Sequence, residues 1–276
     1  MTSLTFLGTG GGRFATIYQV RSTGGIYLRD RARLHLDPGP SALANMRRLA
    51  LDPARTDGVL ISHCHPDHYA DAEILVEGMA RGGFKRSGVV VGSRTVLDGG
   101  EGFSPALSAY HQSLAREVVR VAAGDELEIE GVGIEVTPTF HSDPTGVGFR
   151  FHTSQGIIGY VGDSELHDEL ARAHQGCRAL VVNLTRPRGA WVPKHMDTED
   201  AAALVAAVRP EVAVLTHFGM KLVHDGPERQ AAYIEQASGV RTVPAEDLMT
   251  FQIGKAIRVV RSKGERSFAE PRDLDL

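Results

Sequence analysis

The chain has 276 residues, 42% of them hydrophobic and 23% charged, which provides for a sizeable core and excludes general disorder. Thirty Lys plus Arg against thirty-four Asp plus Glu leave a formal charge of -4, so no global basic field exists to hold nucleic acid by phosphate neutralisation alone. Thirty-one glycines and 13 prolines without a Gly-X-Y period exclude collagen and a coiled coil, while two cysteines, Cys64 and Cys177, cannot build a disulfide framework and fit a reducing, cytoplasmic setting.

The first residues, Met1 to Gly8, lack the basic start and long apolar stretch of a secretory signal and read as a strand. No apolar run approaches the roughly 18–20 residues that cross a bilayer; even Ala201 to Val208 stops at Arg209. Further strands are expected at Ile17 to Val20, Ile26 to Leu28, Leu34 to Leu36 and Val59 to Ile61, separated by Gly, Asp and Arg turns. Leu43, Met46, Leu49 and Ala50 at helical spacing predict a helix over Ser41 to Leu51, with Ser41 as its N-cap. Ala72, Leu75, Val76 and Met79 predict another over Ala70 to Ala80.

Between 81 and 124, glycine pairs interrupt the pattern around one clear strand, Val89 to Val91, and an inserted, partly helical segment is expected near Pro105 to Arg116. Four β runs follow, Leu127 to Ile129, Val132 to Phe140, Val147 to Phe151 and Ile157 to Val161, joined by short turns as in an antiparallel sheet. Then helices and strands alternate: helix Glu165 to His174, strand Ala179 to Asn183, helix Thr198 to Val208, strand Val212 to Thr216 and helix Pro227 to Ala237. Strand-rich and helix-alternating halves together predict an α/β (α+β) fold in which two sheets pack face to face with helices outside, a four-layer αββα sandwich. One domain over 1–260 and a polar tail over 261–276 complete the expectation.

The densest chemistry is His63-Cys64-His65-Pro66-Asp67-His68, directly after an apolar strand and before a helix. One or two histidines there would read as an ordinary polar loop. Three imidazoles and a carboxylate within six residues form instead the donor set preferred by borderline-soft divalent metals.

This His-x-His-x-Asp-His pattern, in its strand-loop-helix setting, resembles the metallo-β-lactamase-fold hydrolases. Further landmarks of that family occur in order: Leu4 to Gly10, Leu34-His-Leu-Asp-Pro-Gly39, Thr139-Phe-His141, Gly159 to Ser164 and Leu215-Thr-His-Phe218. The resemblance implies that His63, His65 and His141 hold one metal, that Asp67, His68 and His217 hold a second, and that Asp163 bridges the two. His141, Asp163 and His217 each follow an apolar β run, where a sheet can project a side chain into a shared site. Two divalent ions about 3.5–4 Å apart would acidify a bridging water to a hydroxide nucleophile and neutralise the developing oxyanion. Zinc is the expected metal, with manganese or iron as alternatives. Asp67 would orient that water and take its proton.

His195, in Lys194-His-Met-Asp, looks like the histidine that assists the departing alkoxide in phosphodiesterase members such as tRNase Z. Those enzymes pair it with a carboxylate where this chain has Asn183, and the roughly twenty residues from His141 to Asp163 leave no room for their tRNA-grasping arm. Specific tRNA binding is therefore not expected. The reading is a dinuclear zinc hydrolase acting on a phosphodiester in a small molecule or short nucleotide, with no membrane partner and self-association left open. The alternatives are a carboxylic ester, lactone or thioester hydrolase, an iron-dependent redox enzyme, and a catalytically silent scaffold.

Remaining candidates carry less. Gly8 to Gly12 departs from a dinucleotide fingerprint, since Arg13 takes the last glycine position, and reads as a turn lining the site. Cys64 is expected to point into the core, and Cys177 carries no assigned role. Trp191 fits a pocket wall or simple packing equally. Arg13, Arg186, Arg188, Lys194 and Lys221 fall on expected loops, where solvated charge is the ordinary role.

Overall fold

Val59 and Ile61 are buried on one face of their strand and Leu60 on the other. A strand apolar on both sides must be covered on both, and this requirement, repeated along the chain, produces the layers. The computed structural model describes residues 2–261. Strands β1 (Thr2–Gly8), β2 (Thr23–Arg29), β3 (Arg33–Leu36), β4 (Gly58–Ile61), β5 (Val89–Gly92) and β6 (Glu117–Arg120) form most of one sheet. The second contains β7 (Glu126–Ile129), β8 (Val132–Pro138), β9 (Val147–Thr153), β10 (Gly156–Tyr160), β11 (Ala179–Asn183), β12 (Val212–Thr216) and β13 (Thr242–Pro244). Strands β14 (Met249–Ile253) and β15 (Ile257–Arg261) return to the first, giving the orders β15-β14-β1-β2-β3-β4-β5-β6 and β13-β12-β11-β10-β9-β8-β7.

Between the sheets lies one apolar cluster in which Leu4, Phe6, Leu28 and Leu60 meet Ile134, Phe149, Phe151 and Val181. Each fully buried Leu or Phe contributes roughly 1.5–3 kcal/mol. Outside the first sheet pack α2 (Ala42–Arg48), α4 (Ala72–Met79), α5 (Arg94–Asp98) and α6 (Ala109–Leu114), while α1 (Gly12–Tyr18) and the single turn α3 (Pro66–Tyr69) stand at its site edge. Outside the second pack α7 (Asp168–Ala173), α8 (Thr198–Val208), α9 (Met220–Asp225) and α10 (Pro227–Ser238). Helix α8 starts where the sequence places it, because Asp197 and Asp200 form a reciprocal capping box and Leu204, Val205 and Val208 face the sheet. The four-layer αββα sandwich is thus present.

Three local expectations are corrected. Ile17 to Val20 is not a strand: Gly12, at φ 72°, turns the chain off the sheet, and residues 12–18 form a short helix with Phe14, Ile17 and Tyr18 exposed. Ser41 precedes its helix but does not cap it; its hydroxyl donates to Gln19 Oε1 at 3.0 Å. The segment 81–124 is no mere insertion, since β5 and β6 extend the first sheet in parallel beyond β4. Strand β6 has no alternating apolar signal, because at this edge its residues are mostly exposed and charged residues stand at both ends. Helix α9 and strands β13 to β15 have no counterpart among the sequence expectations. The tail beyond Arg261 lies outside the described residues.

Candidate metal centre

Six strands run toward one edge of the sandwich, and chemistry-bearing residues sit at or just past their C-terminal ends. Asp37 follows β3, Ser62 and His63 follow β4, His141 follows β8, Asp163 follows β10, Asn183 ends β11 and His217 follows β12. The edges of the two sheets therefore face each other across one site, as is usual for ligands at strand carboxyl ends.

His63 Nε2 lies 2.8 Å from His65 Nδ1, and His141 Nε2 lies 3.1 Å from that same atom. Beside them, His68 Nε2 and His217 Nε2 are 3.1 Å apart, with Asp67 Oδ2 at 3.6 Å and 3.3 Å respectively. Asp163 Oδ2 stands between the two groups, 3.8 Å from His141 Nε2, 3.2 Å from His217 Nε2 and 3.7 Å from His68 Nε2. All seven side chains named from the sequence are thus brought together, in two triads about one carboxylate.

The hydrogen bonds behind the rings test whether this arrangement fits cations. His68 Nδ1 donates to Asp37 Oδ2 at 2.9 Å and His141 Nδ1 to the Lys194 carbonyl at 2.8 Å. Both acceptors demand a proton on Nδ1, which leaves each neutral ring with a bare Nε2 lone pair aimed inward. His217 Nδ1 meets Thr185 Oγ1 at 3.0 Å, and His63 Nδ1 meets Ser62 Oγ at 3.0 Å. Lone pairs converging at about 3 Å repel unless a cation lies among them, and outer partners of this kind are what orient metal-binding imidazoles. The residues fit two divalent ions.

Electrostatics distinguish the rings. Burial, reinforced by neighbouring imidazoles, holds His63 well below the ordinary histidine value. Burial also lowers His65 and His141. His68 moves oppositely: burial pulls it down, but Asp67, Asp37 and Asp163 outweigh that and push it up to about 10, so a cation would take the place of the Nε2 proton there. Burial alone would raise Asp67 and Asp163, yet the surrounding histidines hold both well below the usual carboxylate range.

Several further residues outside the expected ligand set support the site. Asp37 accepts from the Ser62 amide and hydroxyl, both at 2.7 Å, and from the Tyr160 hydroxyl, locking three segments together. Asn183 Nδ2 donates to Asp163 Oδ1 at 2.7 Å, so it orients Asp163 and not His195. Gly12 N–H donates to Asp67 Oδ2 at 2.8 Å, and a Cβ on Gly11 would lie 2.2 Å from the His217 ring. The glycine turn is therefore part of the site. Beneath the histidine loop, buried Asp143 accepts from the Cys64 amide at 2.8 Å and the Thr95 hydroxyl at 2.6 Å. A landmark such as Leu34-His-Leu-Asp37 could have flagged Asp37; nothing local flags Asp143.

His195 is brought in as well. Its Nδ1 meets the Pro193 carbonyl at 3.2 Å, its Nε2 lies 3.7 Å from Asp163 Oδ2, and its ring packs edge-on against His141 at 4.9 Å. Cys64 faces the core, its Sγ on the Ser104 carbonyl, and burial, seconded by Asp143, pushes its thiol up to about 11. Trp191 is exposed; its neighbour Val192 lines the cleft instead.

That cleft measures about 820 Å³ and opens onto Asp67, Asp163, His65 and His195. Its walls are apolar at Phe14, Tyr18 and Met220 and basic at Arg13, Arg186 and Lys221.

A family described as a beta-lactamase superfamily domain matches residues 32–218, and this chain belongs to it. It is 40% identical over 245 residues to an uncharacterized protein of Methanocaldococcus jannaschii, MJ1374, covering 88% of this chain and 91% of that one. A Methanopyrus kandleri protein described as a UPF0173 metal-dependent hydrolase is 26% identical over 201 residues, 67% of this chain and 76% of its own. Among solved structures, the metallo-beta-lactamase fold protein YhfI of Bacillus subtilis superposes with a TM-score of 0.74 at 18% identity, covering 90% of this chain and 98% of YhfI. Among the described residues, no helix is long and apolar enough to cross a membrane.

Proposed function

We propose that this metal-dependent hydrolase cleaves phosphodiester bonds, with His63, His65 and His141 holding one divalent cation, Asp67, His68 and His217 a second, and Asp163 shared between them. The cations, zinc in this reading, would supply a water acidified toward neutrality and neutralise charge building on the substrate oxygen. Asp67 lines the cleft with Oδ2 held by the Gly12 amide, which supports a role in orienting that water and accepting its proton. Asp163 is held from behind by Asn183, which keeps Oδ2 directed between the triads.

The observation that carries the phosphodiester reading is His195. With Nδ1 tied to the Pro193 carbonyl, its Nε2 faces the cleft next to Asp163. A proton delivered there helps an alkoxide leave, which a phosphodiester with a poor leaving group requires. The cleft size suits a small molecule or short nucleotide.

Metal analysis of the purified protein, with turnover of bis(4-nitrophenyl) phosphate, an alkyl phosphodiester, a lactone and an acyl thioester, tests this. His63→Ala is expected to abolish all turnover. His195→Ala is expected to slow the alkyl diester about 100-fold or more, as loss of a general acid does, and the activated aryl diester far less. Equal losses would remove His195 from the acid role, and a preference for lactone or thioester would overturn the phosphodiester assignment.

A further inference from the structure

The five loop cations noted in the sequence separate into two kinds. Arg188 pairs with Glu199 at 3.2 Å and lies over the Tyr233 ring, and Lys194 Nζ sits 3.2 Å above the Phe140 ring. Those two are occupied. Arg13, Arg186 and Lys221 all line the cleft, and among the described residues none has a carboxylate within ion-pair distance. The acidic groups lining that cleft are Asp67 and Asp163, both assigned above to cations.

Their convergence follows from the backbone. A Cβ on Gly12 would lie 3.8 Å from Thr185 Cγ2, and one on Gly219 would press within 2.4 Å of the Thr185 carbonyl. Three segments therefore meet around Thr185, whose hydroxyl holds His217, and each sends out a cation one or two residues further on. In a chain of net charge -4, this is a local excess of positive charge against a low-dielectric wall, where field lines focus. Guanidinium groups match phosphate oxygens in bidentate geometry.

From this geometry we infer that Arg13, Arg186 and Lys221 form a second anion subsite, so that the substrate carries a phosphate group beyond the one being cleaved. The inference deepens the phosphodiester reading and rests on it for the reaction, but not for binding. The second phosphate has two sources, a terminal phosphomonoester or the next diester of a short strand.

Calorimetry on the metal-loaded protein tests binding directly, comparing thymidine 3′,5′-bisphosphate with thymidine 5′-monophosphate. Wild type is expected to favour the bisphosphate by about tenfold or more, the increment of one charge-assisted contact set. The triple variant Arg13→Gln, Arg186→Gln, Lys221→Gln is expected to lose most of that preference. Turnover of dTpdT, pdTpdT and dTpdTpdT then separates the sources: preference for pdTpdT names the terminal phosphate and preference for dTpdTpdT the strand. Equal affinity for the two nucleotides in wild type, or full preference in the triple variant, would overturn the subsite. Failure to cleave any diester despite bisphosphate preference would instead sink the phosphodiesterase reading and leave the subsite standing.

Discussion

Gly11→Ala adds one methyl group, and the structure states where it would go. The new carbon would lie 2.2 Å from Cγ and Cδ2 of His217 and 2.4 Å from its Nδ1. Carbon atoms in good contact sit about 3.5–4.0 Å apart, so the ring must retreat by more than about 1 Å. Metal-ligand distances tolerate about 0.2 Å. The ring has little room, because His217 is 5% exposed and its Nδ1 is held by the Thr185 hydroxyl. The backbone is not the obstacle, since Gly11 at φ -160° is in extended conformation that alanine adopts freely. The expected outcome is selective loss of the cation proposed for Asp67, His68 and His217, with affinity falling at least about 10–100-fold, the range seen when partners of metal ligands are disturbed. Titration calorimetry and metal stoichiometry after dialysis read this out. The same change in a His217→Ala background should cost nothing more, because the ring it strikes is gone. Unchanged stoichiometry in Gly11→Ala, or an equal further loss in the double variant, would refute the steric argument.

Two other perturbations act away from the donors. Asp143→Ala strips a buried acceptor from the Cys64 amide, the Thr145 amide and the Thr95 hydroxyl; at about 1–3 kcal/mol per orphaned buried donor, urea denaturation should show a loss of about 3 kcal/mol or more, which Asp143→Asn partly restores. His174 is buried, and burial, with the Arg150 cation nearby, lowers it to about 3. Because the unfolded value is near 6.5, the unfolded chain binds the extra proton, and this group's stability is complete above pH 6.5 and lost as pH falls toward 3, by about 1.4 kcal/mol per unit. At pH 5 its share of the loss is about 2 kcal/mol, and His174→Gln should flatten the stability profile between pH 6.5 and 5 by that amount.

What could be read in advance follows from how far apart the cooperating residues lie. His63 to His68 stand within six positions after an apolar strand, so their chemistry is local and visible. His141, Asp163 and His217 are visible as strand ends, and the halves of the chain predict two facing sheets, but which strand ends meet at one site follows only from family likeness. The partners that set tautomers, Asp37 for His68 and the Lys194 carbonyl for His141, are separated from their rings by 31 and 53 positions, and a backbone carbonyl has no signature in a sequence at all. Asn183 shows the limit from the other side: its sequence position points to His195, whereas its contact is with Asp163. Ile17 to Val20 departs from its propensity for a different reason. Their β-branched, apolar character reads as strand, but the glycine turn ahead of them is committed to Asp67 and His217, and that tertiary demand overrides propensity.

Each triad takes two donors from the loop after β4 and one from the opposite sheet: His141 beyond β8 completes the first, and His217 beyond β12 completes the second. Neither sheet holds a complete set. The separation of donor atoms is therefore fixed by how the sheets pack, through Phe6, Leu60, Phe149 and Phe151 between them, and interiors packed at crystal-like density transmit displacements of this size rather than absorb them. Asp37 ties the same two layers at the site itself, bonding Ser62 and His68 on its own sheet and Tyr160 on the other. The alternating apolar pattern that makes the sandwich and the histidine cluster that makes the chemistry are thus one geometric constraint, enforced from the core outward.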